Sequence, residues 1–228
     1  MALHPKTGDE IWRVTRDEGS NWSTPMIWKN TKWVELITVG RTTRSYDPKN
    51  GELLWQLRIG GRCSSSATGD EELLYLGSEQ RVDGDSLHAV KAGASGDITP
   101  ADGEGTSAGV LWSTVKVGPP MASPFLYQGL VYVVQRRSGI VAAYDAKTGG
   151  EMYKKRVSGA KAFWATPWAL DGKVYLLDDT GTAHVLKPGP EFVVLATHSL
   201  EGTLWASPAM ARGSLVLRDV KHLYCLRR

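Results

Sequence analysis

A chain of 228 residues, 42% hydrophobic, is long enough to bury a core of its own, and a single domain over residues 1–228 is expected. Its 27 Lys and Arg against 24 Asp and Glu leave a net charge of +3, which excludes the strongly basic balance of a nucleic-acid or anionic-membrane binder. No apolar run approaches the roughly 18 residues of a membrane-spanning helix, and nine Trp with 25 Gly point to short strands and tight turns.

In chain order the strands fall into sets of four. The first 15 residues carry Lys6, Asp9, Glu10 and Arg13 and do not read as a secretory signal, so either a cytosolic protein or a missing natural start follows. Glu10–Val14 is a strand. The first full set is Trp22–Trp28, Trp33–Val39, Thr43–Asp47 and Glu52–Arg58. The second is Cys63–Ala67, Glu72–Gly77, Ser86–Lys91 and Val110–Lys116, interrupted by an insertion, Ala92–Gly109. That insertion has five glycines and one large apolar residue, Ile98, a composition expected to stay out of the core. The third set is Met121–Tyr127, Leu130–Gln135, Gly139–Asp145 and Glu151–Val157. The fourth is Phe163–Leu170, Lys173–Asp178, Thr182–Lys187 and Glu191–Thr197. The fifth has Leu204–Met210, Ser214–Arg218 and Lys221–Arg227, and its fourth strand is expected to be Glu10–Val14.

Two signatures recur. In the turn between third and fourth strands, a small residue precedes a glycine by six positions, and an apolar residue follows the glycine by four. Ala143, Gly149 and Tyr153 show this, as do Ala2, Gly8 and Trp12, Ser45, Gly51 and Trp55, and more weakly Ala183, Gly189 and Val193. Asp145 and Thr148 can bond neighbouring backbone groups in such a turn, and glycine accepts the positive φ it needs. The second signature opens each set: Pro25, Pro124, Pro167 and Pro208 each follow Ser or Thr, and Ala67 follows Ser66 at the matching place, at intervals of 42, 57, 43 and 41 residues. Four strands per period of about 42 residues predict the blades of a β-propeller, each too thin to bury its faces without a neighbour.

The run of small residue, x, Asp, x, x, Thr, Gly, x, x, x, aromatic in Ala143–Tyr153, and its near copy Ala2–Trp12, resemble the tryptophan-docking repeat of the pyrroloquinoline quinone (PQQ)-like β-propellers. That family includes the quinoprotein dehydrogenases and the lipoprotein of the outer-membrane β-barrel assembly machinery. The resemblance implies an all-β propeller of four-stranded blades. About five blades lie in this chain, either as a closed small ring or as the C-terminal part of a seven- or eight-bladed one, and the start within a repeat favours truncation. It also implies that Trp12, Trp55 and Trp112 pack across blade interfaces, and a periplasmic or cell-envelope setting.

Residues able to carry chemistry are scattered. The dehydrogenases of the family hold quinone and calcium with a carboxylate base, and several have adjacent cysteines; here Cys63 and Cys225 are far apart and are expected as free thiols. Asp47, Asp145, Asp178 and Asp179 fall in turns. Asp97, Asp102 and Glu104 of the insertion match no calcium-loop spacing. The histidines, His4, His88, His184, His198 and His222, lack metal-ligand spacing, and no nucleophile elbow surrounds Ser64, Ser65 and Ser66. Neither PQQ nor calcium is therefore expected as a cofactor, and no catalytic or metal residue is assigned. The recurrent feature is aromatic: Trp22, Trp164 and Trp205 stand three residues before the opening proline, with Met121 at the same place in the third set. These four are the candidate ligand-binding residues of a non-catalytic, monomeric scaffold for a protein, peptide or glycan partner. The competing expectation is a fragment of a quinone-dependent dehydrogenase.

Overall fold

The computed structural model describes residues 1–79, 85–115 and 118–227. They contain strands and turns and no helix, and the chain divides into two compact halves, Met1–Lys116 and Val117–Arg228. Lys116 and Arg228 lie outside the described residues.

In the first half, β1 (Ala2–Leu3) and β2 (Glu10–Trp12) form an antiparallel ribbon. Strands β3 (Met26–Lys29), β4 (Val34–Thr38), β5 (Thr42–Tyr46) and β6 (Leu53–Arg58) form an antiparallel meander. Next come β7 (Thr68–Gly69), β8 (Leu73–Ser78), β9 (Ser86–Lys91), β10 (Gly96–Asp97) and β11 (Val110–Val115), of which β7, β8, β9 and β11 make the second meander. In the second half the third meander comprises β12 (Phe125–Tyr127), β13 (Leu130–Val134), β14 (Ile140–Asp145) and β15 (Glu151–Arg156). The fourth comprises β16 (Trp168–Leu170), β17 (Lys173–Leu177), β18 (Thr182–Leu186) and β19 (Val194–Ser199). A three-stranded sheet of β20 (Ala209–Ala211), β21 (Ser214–Arg218) and β22 (Leu223–Arg227) ends the chain. In the second and third sets the two middle strands bury both faces, which is why β13 reads as an unbroken apolar run. One buried cluster, with Trp28, Ile37, Trp55, Leu57, Leu74 and Val90, fills the first half; a second, with Tyr132, Val141, Tyr153, Phe163, Leu176 and Leu186, lies in the second half.

The hairpin repeat has a structural counterpart. In four hairpins the small residue faces the aromatic position and the next residue steps back by two, a β-bulge. The pairs are Ala2 with Trp12, Ser45 with Trp55, Ala89 with Trp112 and Ala143 with Tyr153. The turn is closed by Asp145, whose Oδ1 accepts bonds from the Lys147 and Thr148 amides and the Thr148 hydroxyl, while Gly149 sits at φ 72°. Gly51 needs to be glycine twice over: its φ is 76°, and a Cβ there would lie 2.6 Å from the Trp12 ring, whose Nε1 donates to Pro48 O at 2.9 Å.

Four expectations are corrected. First, Pro25, Ala67, Pro124, Pro167 and Pro208 are not within the first strands; each strand starts one residue later, and at four of the five places the proline has no amide to give the ladder. Second, the fourth copy of the hairpin is displaced by two: Val185, not Ala183, faces the aromatic position, which is held by Ala196, not Val193. Pro188 and Pro190 reshape its turn, Gly189 takes φ 131°, and β19 begins at Val194 rather than Glu191. Third, the insertion is ordered. β10 adds to the outer edge of β6 as a parallel fifth strand, Ile98 donates its amide to Gln56 O at 2.9 Å, and the Ile98 side chain, 2% exposed, enters the first core. Fourth, among the described residues the last sheet has three strands, and β2 pairs with β1 in a ribbon of its own rather than with β22.

Candidate functional site

In a four-stranded meander the start of the first strand, the second-to-third-strand turn and the end of the fourth strand share one end of the sheet. In each half that end gathers the aromatic candidates. In the second half, Trp164 and Trp205 meet at 5.5 Å between ring centroids, tilted by 31°. The Arg136 guanidinium, from the β13–β14 turn, lies 5.3 Å from the Trp164 ring centre, a cation–π distance. Trp205 is 58% exposed and borders a cavity of 240 Å³ with Arg218 and Asp219. Met121, half-buried, holds the corresponding place before β12.

The first half repeats the pairing of Trp with Arg. Trp22, 60% exposed, has the Arg62 guanidinium 6.0 Å from its ring centre. Both, with Glu18, Asn21, Arg41 and Gly61, line a cavity of 420 Å³. Glu18 stands in this cavity as a carboxylate engaged by donors. Its oxygens accept from Asn21 Nδ2 and the Arg41 amide at 3.0 Å, the Thr42 amide at 3.1 Å and Arg44 Nη1 at 3.2 Å. Burial alone would raise the Glu18 carboxyl, but these donors outweigh it and hold the group below its ordinary range. The sequence reading named the tryptophans and not Arg62 or Arg136, which lie beside two of them; the available signal was a cation in the segments that reach the same sheet end.

A ladder that orders this end also went unseen. In three cases the Ser or Thr before a marker residue bonds to its counterpart one set later. Thr24 N donates to Ser66 Oγ at 2.9 Å, Ser123 N to Thr166 Oγ1 at 3.1 Å and Thr166 N to Ser207 Oγ at 2.9 Å. The recurrent Ser/Thr-Pro pair was legible, but a main-chain donor paired with a side-chain acceptor some 42 residues away was not.

The carboxylates are committed elsewhere. Asp178 is buried and accepts from Thr180, Thr182 and Lys161, with His184 Nε2 at 3.5 Å. Burial pushes its carboxyl up, and those donors win and lower it. Asp219 is lowered in the same way, desolvation being overcome by bonds from His222, Lys221 and Tyr224. Asp97 binds Thr99, Gln56 and Arg58. Cys63 is a buried free thiol pushed up to about 12 by desolvation, and Cys225 is exposed and free. Among the described residues no three His, Cys, Asp or Glu converge into a group that could hold a metal ion.

No family model and no curated protein sequence matches the chain. Among solved structures it is similar to BamB from Moraxella catarrhalis, with 15% identity and a TM-score of 0.47, over 97% of this chain and 76% of that one. It is also similar to the quinohemoprotein alcohol dehydrogenase ADHIIG from Pseudomonas putida HK5, with 13% identity and a TM-score of 0.61 over 95% of this chain. The chain spans 42% of that dehydrogenase's length. The second likeness shows the β-propeller fold.

Proposed function

We propose that the chain is a non-catalytic propeller module of the cell envelope that binds a protein, peptide or glycan partner where its first strands begin. The observation that carries this reading is the contact of Trp164 with Trp205, with Arg136 on one side and most of the Trp205 surface open. Aromatic rings with few rotatable bonds offer contact area at small entropic cost, and a nearby arginine adds direction. A second Trp–Arg contact, Trp22 with Arg62, lies at the corresponding sheet end of the first half, with the arginine supplied there by the segment between β6 and β7.

The test screens the whole chain against a displayed peptide library and an array of oligosaccharides, with Trp205→Ala and Trp164→Ala alongside. Binders that are enriched by the native chain and lost by about tenfold or more with either variant support the reading. Binders indifferent to both variants, or none at all, overturn it. The reading also excludes turnover with pyrroloquinoline quinone and calcium; dye reduction by alcohols or sugars above the quinone-only control would favour a dehydrogenase fragment instead.

A further inference from the structure

The outer edges of the four complete sheets are protected in different ways, and one is not protected. An edge strand presents unpaired amides and carbonyls and invites another strand unless it is covered or charged. On the first sheet, β6 is covered by β10. On the second, the insertion runs beside β11, where Ser113 Oγ donates to Gly105 O at 3.0 Å. On the third, β15 carries Lys154, Lys155 and Arg156, all exposed. On the fourth, β19 reads Val-Leu-Ala-Thr-His-Ser, without Lys, Arg, Asp, Glu or Pro, ends its sheet, and exposes Val194 and Leu195 by 41% and 49%.

We propose that the edge of β19 is a self-association site, occupied by β19 of a second copy paired antiparallel about a two-fold axis. Three observations select this occupant. The chain shows on β6 that an outer edge of this fold accepts an additional strand without distortion of the meander beneath it. The β19 sequence is compatible with itself: a two-fold between Ala196 and Thr197 sets Leu195 opposite His198 and Val194 opposite Ser199, so no two like side chains of formal charge meet. The same operation on β15 would set Arg156 opposite Glu151 but gather six cations and two carboxylates into one seam, a net charge of +4, so repulsion weighs on pairing at that edge and not on β19. A six-residue seam is about 20 Å long and falls below the roughly 1,200 Å² of a stable interface, so the dimer is weak and reversible.

The experiment is sedimentation velocity on the full chain from low micromolar to high micromolar concentration, with hydrogen exchange at both extremes. The expected result is a concentration-dependent dimer whose amides in 194–199 gain protection as it forms. Leu195→Lys with Thr197→Lys, both at exposed positions, should weaken association by about tenfold while circular dichroism stays native. A monomer throughout, or a dimer that persists in the double variant, overturns the proposal. So does a dimer in which protection rises elsewhere and not at 194–199, and this readout needs no variant.

Discussion

Glu35 and His88 show two solutions to burying a polar side chain. Glu35, fully buried, spends its oxygens on Asn30 Nδ2 and Trp55 Nε1, each at 2.6 Å, and on the Ser45 hydroxyl, so Trp55 is held by its own sheet as well as by the core around it. His88 has no such support: both ring nitrogens are buried without a hydrogen-bond partner among the described residues, and desolvation lowers its pKa from 6.5 to about 4. Its strand equivalent, His184, has Asp178 for company. The folded state thus resists protonating His88 while the unfolded chain accepts a proton at the ordinary pH. The stability due to neutral His88 is fully present above pH 6.5 and is lost as pH falls toward 4, a change of about 3 kcal/mol. Urea titrations across that window should show it, and His88→Leu should flatten the slope; an unchanged slope would assign the loss to other groups. The aromatic positions were legible because each is paired with a small residue at fixed spacing. Whether a strand histidine has a partner depends on what the neighbouring turn supplies, and Asp178 read from sequence only as a turn residue.

At the scale of elements, the insertion is where composition misled. Five glycines and a single Ile cannot build a core, but one strand of two residues can borrow an edge and one Ile can borrow a core. Arg58 and Gln56 hold Asp97, and the Arg58 amide donates to Thr99 Oγ1 at 3.1 Å, so the segment is fixed on both sides of Ile98. Ile98→Ala removes the anchor and should cost about 2 to 5 kcal/mol. The diagnostic readout is local: amides of Gln56, Ile98 and Arg58 should exchange faster while those of β13 and β14 keep their protection. Uniform loss of protection would mean that Ile98 supports more than its strap. The middle strands, by contrast, were readable almost to the residue, since their apolar residues lie between clear turn signals, and β9 and β21 begin and end where the sequence places them. First strands were misread by several residues because Trp and Pro near their starts imitate strand composition while serving the sheet end.

For the molecule as a whole, repetition requires a device that sets each sheet against the next, and the Ser/Thr ladder supplies one in both halves. Apolar contact between sheets is tolerant of sliding, whereas an amide that donates to a hydroxyl one set later fixes register. Thr166 is the informative rung, since its Oγ1 accepts from Ser123 N and its amide donates to Ser207 Oγ. Thr166→Val keeps the shape and removes the acceptor, leaving the Ser123 amide without that bond; Ser207→Ala removes the acceptor of the next rung. Each should lower stability by about 1 kcal/mol, seen as a lower denaturation midpoint with an unchanged slope. Because both rungs pass through Thr166, the double variant should deviate from the sum of the singles by about 0.5 kcal/mol or more. Neutral single variants would show that the hydroxyls are dispensable and that apolar packing alone sets the spacing of the sheets.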